Sequence, residues 1–180
     1  IEKFSEALAR NSGKVDGIVT GIERFTGGGT KVVPRIVDLT AAKTFAGLQK
    51  RPTVQLYVPE PTALAVLDNE KIVLRGPEAS ETPSADASGA VKPQWPDMLP
   101  KVIQARVVQS FENAQYMRVI GKAPDGTKGD FQLVMEVRAF EASLAPGGVA
   151  TVEIGARLID GEGRIADARV FRGQAPASAD

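Results

Sequence analysis

The first 26 residues carry apolar side chains at a helical beat. Ile1, Phe4, Leu8, Asn11, Val15, Ile18, Ile22 and Phe25 step by 3, 4, 3, 4, 3, 4 and 3, the heptad spacing of a helix that associates with others. Asn11 is the one polar member, and a lone Asn at such a position commonly sets register and oligomer state. Gly13, Gly17 and Gly21 recur every four residues. They would let a second helix approach closely, and each costs roughly 1 kcal/mol in a helix interior. Such a helix is weak alone and needs partners. Phe4, Leu8, Asn11, Val15, Ile18, Ile22 and Phe25 are therefore expected to face other helices or a lipid path. The alternative is one amphipathic helix packed on its own domain.

Gly27-Gly28-Gly29 opens a linker expected over residues 27–50. The main domain is expected over 51–173, followed by a small polar tail over 174–180. Within the domain, residues 53–58 alternate and are rich in β-formers, and Pro59 and Pro61 end that strand. Residues 71–75 read as a second strand. Residues 76–94 hold almost no large apolar side chain and predict coil. A helix follows over 97–113, its buried face made of Leu99, Val102, Ile103, Val107 and Phe111, with Asp97 placed to serve its N-terminus. Residues 116–120 give a third strand.

Three strands then form a meander. Phe131, Leu133, Met135 and Val137 share one face of the first, opposite Gln132, Glu136 and Arg138. Val152, Ile154, Ala156 and Leu158 alternate with Thr151, Glu153 and Arg157 in the next, and a turn at residues 160–163 leads to a strand over 165–171. Clean alternation predicts a sheet with one covered and one wetter face. The fold class is therefore α+β, a mostly antiparallel mixed sheet covered by helices on one face, preceded by a separate N-terminal helix. One helix is thin cover for so many strands, so a second covering element is expected to be missing from this sequence or supplied by a neighbour.

Composition narrows the chemistry. The chain has no Cys and no His, which removes disulfides, thiol chemistry, the usual zinc sites and every Ser-His-Asp or Cys-His triad. The 22 basic and 22 acidic residues balance, so no basic field exists to hold a nucleic-acid backbone. No apolar run approaches the roughly 20 residues that span a bilayer. Because the sequence begins at Ile1, inside a running helix, a targeting signal and any membrane anchor are expected upstream.

Local motifs add little chemistry. The stretch from Gly27 to Lys31 lacks the order of a phosphate loop. Asp125-Gly126 and Asp160-Gly161 supply turns rather than calcium ligands. Glu136, Glu141 and Glu153 read as solvent-face residues of alternating strands rather than a hydrolytic carboxylate pair. Trp95, the one Trp, sits where the coil enters the helix. It is expected to staple that coil to the helix; the other reading is contact with lipid or a partner.

Several stretches together resemble the ABC-type transport auxiliary lipoprotein family. They are Leu56-Tyr-Val-Pro-Glu-Pro61, Lys71-Ile-Val-Leu-Arg75, Trp95-Pro-Asp-Met-Leu-Pro100, the helix through Val102–Phe111, the strand Asp130–Glu141, and Ala156–Asp160 continuing to Val170-Phe171. Residues 1–29, above all Phe4–Ser12, resemble the C-terminal helix of MCE (mammalian cell entry) proteins, the substrate-binding ring components of bacterial lipid importers. Family members carry an N-terminal lipobox cysteine, which this sequence lacks, and usually finish with a further helix after the last strand.

The resemblance implies a fusion, an MCE region followed by an auxiliary domain. It further implies a non-catalytic periplasmic accessory component of an MCE-type ABC system of the Gram-negative envelope that moves phospholipid or another hydrophobic solute. Implied partners are the MCE ring, the ABC permease and ATPase subunits, the hydrophobic ligand and other copies of the chain in a hexamer. Membrane association would come through an upstream segment. No cofactor, metal or nucleic acid is implied. The competing reading is an envelope adaptor that docks the MCE assembly to a partner protein without binding lipid.

Overall fold

The structure, a computed structural model, describes residues 36–45, 53–75, 93–116, 118–120, 129–143 and 147–177. The expected N-terminal helix, residues 76–92 of the coil expected over 76–94, and the Asp125-Gly126 turn lie outside the described residues.

The apolar stripe expected over 97–113 forms helix α1 (Leu99–Ala114). Leu99, Val102, Ile103 and Phe111 are buried, and Val107 packs against both halves of the core. Asp97 does not cap the helix. Met98 holds the cap position without a side-chain bond, while Asp97 stands one residue outside, accepting the Met98 N–H at 2.7 Å and pairing with Lys101 at 3.5 Å. A side-chain cap is dispensable because the orphan donors of the first turn are otherwise accounted for. The Leu99 N–H bonds to the Asn69 carbonyl at 3.1 Å, and Pro100 has no N–H to satisfy. At the other end Gln115 turns left-handed (φ 48°) and its N–H reaches the Glu112 carbonyl at 3.1 Å, closing the helix.

Seven strands of the described residues form one mixed sheet: β1 (Gln55–Tyr57), β2 (Thr62–Ala63), β3 (Val73–Arg75), β4 (Arg118–Ile120), β5 (Phe131–Ser143), β6 (Val149–Asp160) and β7 (Ile165–Pro176). The order is β4-β1-β5-β6-β7. One edge of β5 is occupied by β6, antiparallel, for nearly its whole length. The other edge is occupied in succession by β1, β2 and β3, each parallel to it. The antiparallel meander matches the alternation in the sequence; β2, two residues long, is too short to leave a periodic signal. The last strand runs on to Pro176, into the expected tail.

Two irregularities adjust this frame. In β5 the partners change from Val137↔Ile154 to Ala139↔Glu153, so Arg138 is an inserted residue. An extra residue reverses the alternation beyond it. Strict alternation would turn Phe140 to solvent; the bulge returns it to the helix side, where it packs with Trp95 and Val137. Gly129 precedes β5 where β1 passes closely. A Cβ there would lie 3.1 Å from both the Gln55 carbonyl oxygen and the Tyr57 nitrogen.

Two apolar clusters lie between helix and sheet. One joins Phe111 to Leu56, Val58, Met135 and Ala156. The other joins Leu99, Val102 and Ile103 to Leu67, Trp95 and Val137. Val107 and Ile154 touch both. Contrary to the expectation of a missing or neighbour-supplied cover, part of it comes from the chain's own residues 36–45, which the sequence reading assigned to the linker. Val37, Leu39 and Phe45 pack against the clusters and Ala41 is buried. Polar bonds fix the segment along α1: Asp38 pairs with Arg106, the Ala42 N–H donates to Ser110 Oγ at 3.0 Å, and Asn113 Nδ2 donates to the Ala42 carbonyl at 2.8 Å. Ser110, the one buried polar side chain named in the described core, also donates to the Arg106 carbonyl at 2.6 Å, so its burial leaves no unmet polar atom.

The β6–β7 turn is built on Asp160. Its carboxylate accepts the Glu162 and Arg164 N–H groups at 3.0 and 2.9 Å and the Arg164 guanidinium at 2.9 Å. Gly163 supplies the left-handed residue (φ 82°). The backbone and side-chain bonds from Arg164 hold the Asp160 pKa below its ordinary 3.8. A lowered folded value means that stability is present above the unfolded pKa and lost as pH falls through the folded one.

Two outcomes follow from this architecture. Phe111→Ala is expected to cost about 3–5 kcal/mol in chemical denaturation; a loss under about 1 kcal/mol would mean that this face of α1 does not carry the core. Asp160→Asn is expected to lower the melting temperature at neutral pH and to flatten its acid limb below pH 3.8, so that variant and parent converge in acid. Thermal scans across pH read this directly, and an unaltered acid slope would refute the assignment.

Candidate functional site

The solvent face of the sheet carries an ion-pair chain. Glu136 accepts from Arg138 at 3.0 Å, Arg138 also approaches Glu153 at 3.8 Å, and Arg172 donates to Glu153 at 2.8 Å. Gly155 makes room for it: a Cβ there would stand 3.0 Å from the Arg138 guanidinium. The Arg172 hydrogen bond, with the Arg172 and Arg138 charges, lowers the Glu153 pKa below 4.5. That shift keeps the group ionised at neutral pH, whereas a general acid needs a raised value. Glu141 bonds the Arg75 guanidinium at 2.6 Å. All three carboxylates singled out in the sequence thus lie against arginine side chains, and the sequence reading of Glu136 and Glu153 as solvent-face residues agrees with their placement.

A shallow cavity of about 350 Å³ opens where β3, β5 and β6 end, with Arg75, Glu141, Ser143, Gly147 and Thr151 on its walls. Its walls mix apolar and polar surface around the Arg75–Glu141 ion pair. Among the described residues no group of three His, Cys, Asp or Glu side chains is placed to hold a metal. None of their helices is long and apolar enough to cross a membrane.

Trp95 lies inside. It is 5% exposed and meets Phe140 edge-on, with ring centroids 5.4 Å apart and an interplanar angle of 89°. Its N–H backbone group donates to the Glu70 carbonyl at 2.8 Å. It therefore packs the segment before α1 against the helix residues Leu99, Val102 and Ile103, as one sequence reading held, and also against Val137 and Phe140 of the sheet. The other predicted site residues, Phe4, Leu8, Asn11, Val15, Ile18, Ile22 and Phe25, lie outside the described residues.

The same end of α1 presents a feature absent from the sequence reading. After β2 the chain makes a tight turn whose tip exposes Leu64 at 67% and Val66 at 59%, while Leu67 is buried in the core. Backbone bonds from Leu67 and Asp68 to the Leu64 carbonyl, at 2.7 and 2.9 Å, close the turn. Asn69 braces it: Nδ2 donates to the Ala65 and Val66 carbonyls at 3.2 and 2.9 Å, and Oδ1 accepts the Lys71 N–H at 2.7 Å. The run Ala63–Leu67 was the available signal, an apolar stretch too short to assign.

Comparisons with known proteins bear on this arrangement. The profile of the family described as ABC-type transport auxiliary lipoprotein component matches residues 38–180. An uncharacterized protein of Bradyrhizobium diazoefficiens, bll6063, is 35% identical over 169 residues, covering 93% of this chain but 44% of its own length. The chain thus spans less than half of that relative. The crystal structure of protein XCC0632 from Xanthomonas campestris superposes with a TM-score of 0.59 at 24% identity, covering 82% of this chain and 77% of its own. A second solved structure, of an uncharacterized protein, gives a TM-score of 0.53 at 15% identity, covering 73% and 80%. At these identities the structures speak to the fold alone. With the match running from residue 38, on the segment that lines α1, to the end of the chain, the protein belongs to the ABC-type transport auxiliary lipoprotein component family.

Proposed function

We propose that this chain is a non-catalytic accessory domain on the periplasmic side of an MCE-type ABC transport system that moves phospholipid or another hydrophobic solute. The observation that carries the proposal is the family match over residues 38–180. The N-terminal heptad supports the MCE part. The Bradyrhizobium relative covers 93% of this chain, so the similarity reaches upstream of residue 38, and that protein is more than twice as long as the shared region. That length fits an MCE region fused to an auxiliary domain. In this reading ATP is spent by a separate subunit, and the chain contributes binding and docking. The stripe from Phe4 to Phe25 packs copies of the chain around an apolar path, in a hexamer. An adaptor that docks the MCE assembly without touching lipid is the competing reading.

Two measurements test this. Solvent extraction of the intact, membrane-extracted protein followed by mass spectrometry is expected to recover phospholipid or another hydrophobic ligand; its absence favours the adaptor. Ile18→Asp in the full-length protein is expected to break assembly, read by light scattering, while the melting point of the auxiliary domain stays unchanged. Persistent assembly with a fallen melting point would place the helix in the domain core.

A further inference from the structure

The apolar tip of the 64–67 turn sits in an acidic collar. Glu60 precedes the turn and Asp68 and Glu70 follow it, and all three are exposed. Asp97 is also exposed and belongs to the segment whose Trp95 and Leu99 N–H groups bond the Glu70 and Asn69 carbonyls. Against these four carboxylates stand, among the described residues of the same segments, two exposed ammonium groups, Lys71 and Lys101, and Lys101 is already paired with Asp97. The tip is also held rigid by the Asn69 brace and by Leu67, which anchors it in the core.

We infer that Leu64 and Val66 are the docking point for a protein partner that offers an apolar pocket rimmed by Lys or Arg. Two aliphatic side chains kept in water by a braced turn are pre-organised for burial, because little chain entropy remains to be lost on docking. The collar selects the partner. Carboxylates around the tip are repelled by the anionic surface of a bilayer, whereas a basic rim steers the encounter and fixes the register of the contact. Interfaces of this kind have an apolar centre and a polar rim. The inference extends the proposed docking role by naming the surface used and the chemistry of its partner, and it rests on that role.

The test places a photo-reactive amino acid at Val66 of the full-length protein in its native envelope, with the same residue at Val170, 44% exposed on β7, as the comparison site. Illumination is expected to join position 66 to one protein, through a peptide of apolar residues flanked by Lys or Arg. Asp68→Lys combined with Glu70→Lys is expected to lower that yield by about tenfold and leave the yield at Val170 unchanged. The same pair is expected to leave the melting point in place, since both residues are exposed. Adducts to lipid or to a second copy of this chain, a protein adduct indifferent to the charge reversal, or no adduct at position 66 would each overturn the inference. Lipid recovery by solvent extraction reports on the transport reading separately, so either idea can fail while the other stands.

Discussion

The seat of α1 on the middle of the sheet supports the rest of the described domain. Leu99, Val102, Ile103, Val107 and Phe111 meet residues of β1, β5 and β6, and Val107 and Ile154 join the two clusters into a continuous layer. Burying aliphatic and aromatic side chains is worth roughly 1.5–3 kcal/mol each, and no disulfide is available to share the task. Short strands that would be marginal alone are held because their inward residues complete this layer. Leu56 and Val58, at β1 and its end, are almost fully buried in it, and the Gln104 side chain of α1 bonds the Val58 carbonyl at 2.9 Å.

That seat also explains the irregularities. A long β5 must keep apolar residues toward the helix at both ends, yet Leu133, Met135, Val137 and Phe140 break the period of two. The Arg138 bulge reconciles them, and the inserted residue turns outward to join Glu136 and Glu153. Exposed pairs of this kind are worth little individually. Their effect here is to hold the uncovered face polar while the apolar side chains go inward.

An accessory subunit must be stable by itself and still carry surface for its partners. The described domain divides these demands in space. The uncovered sheet face is polar and charge-paired, and Trp95 is withdrawn into the core. Two of the exposed apolar side chains, Leu64 and Val66, project together from a turn fixed to that core by Leu67 and Asn69. Rigid presentation of a few apolar groups suits a protein that docks, and the balanced charge of the whole chain leaves local carboxylates to set the choice of partner.

By itself, the sequence determined the elements whose side chains repeat. The α1 stripe and the β5–β6–β7 meander were legible because periods near 3.6 and 2 survive wherever one face is buried and the other wet. The Asp160 turn was legible because its chemistry is local. Tertiary structure decided what has no period. The alternation of Val37, Leu39 and Ala41 was in view, but only the position of α1 made that segment a covering element rather than a linker. The parallel docking of β1, β2 and β3 along β5 depends on residues far apart in the chain. The absence of a cap at Met98 depends on the Asn69 carbonyl arriving from another turn. Whether Leu64, Val66 and Trp95 face water or core was likewise decided by packing. Hydrophobicity shows that a side chain favours burial, and only the assembled fold determines whether a neighbour is there to bury it.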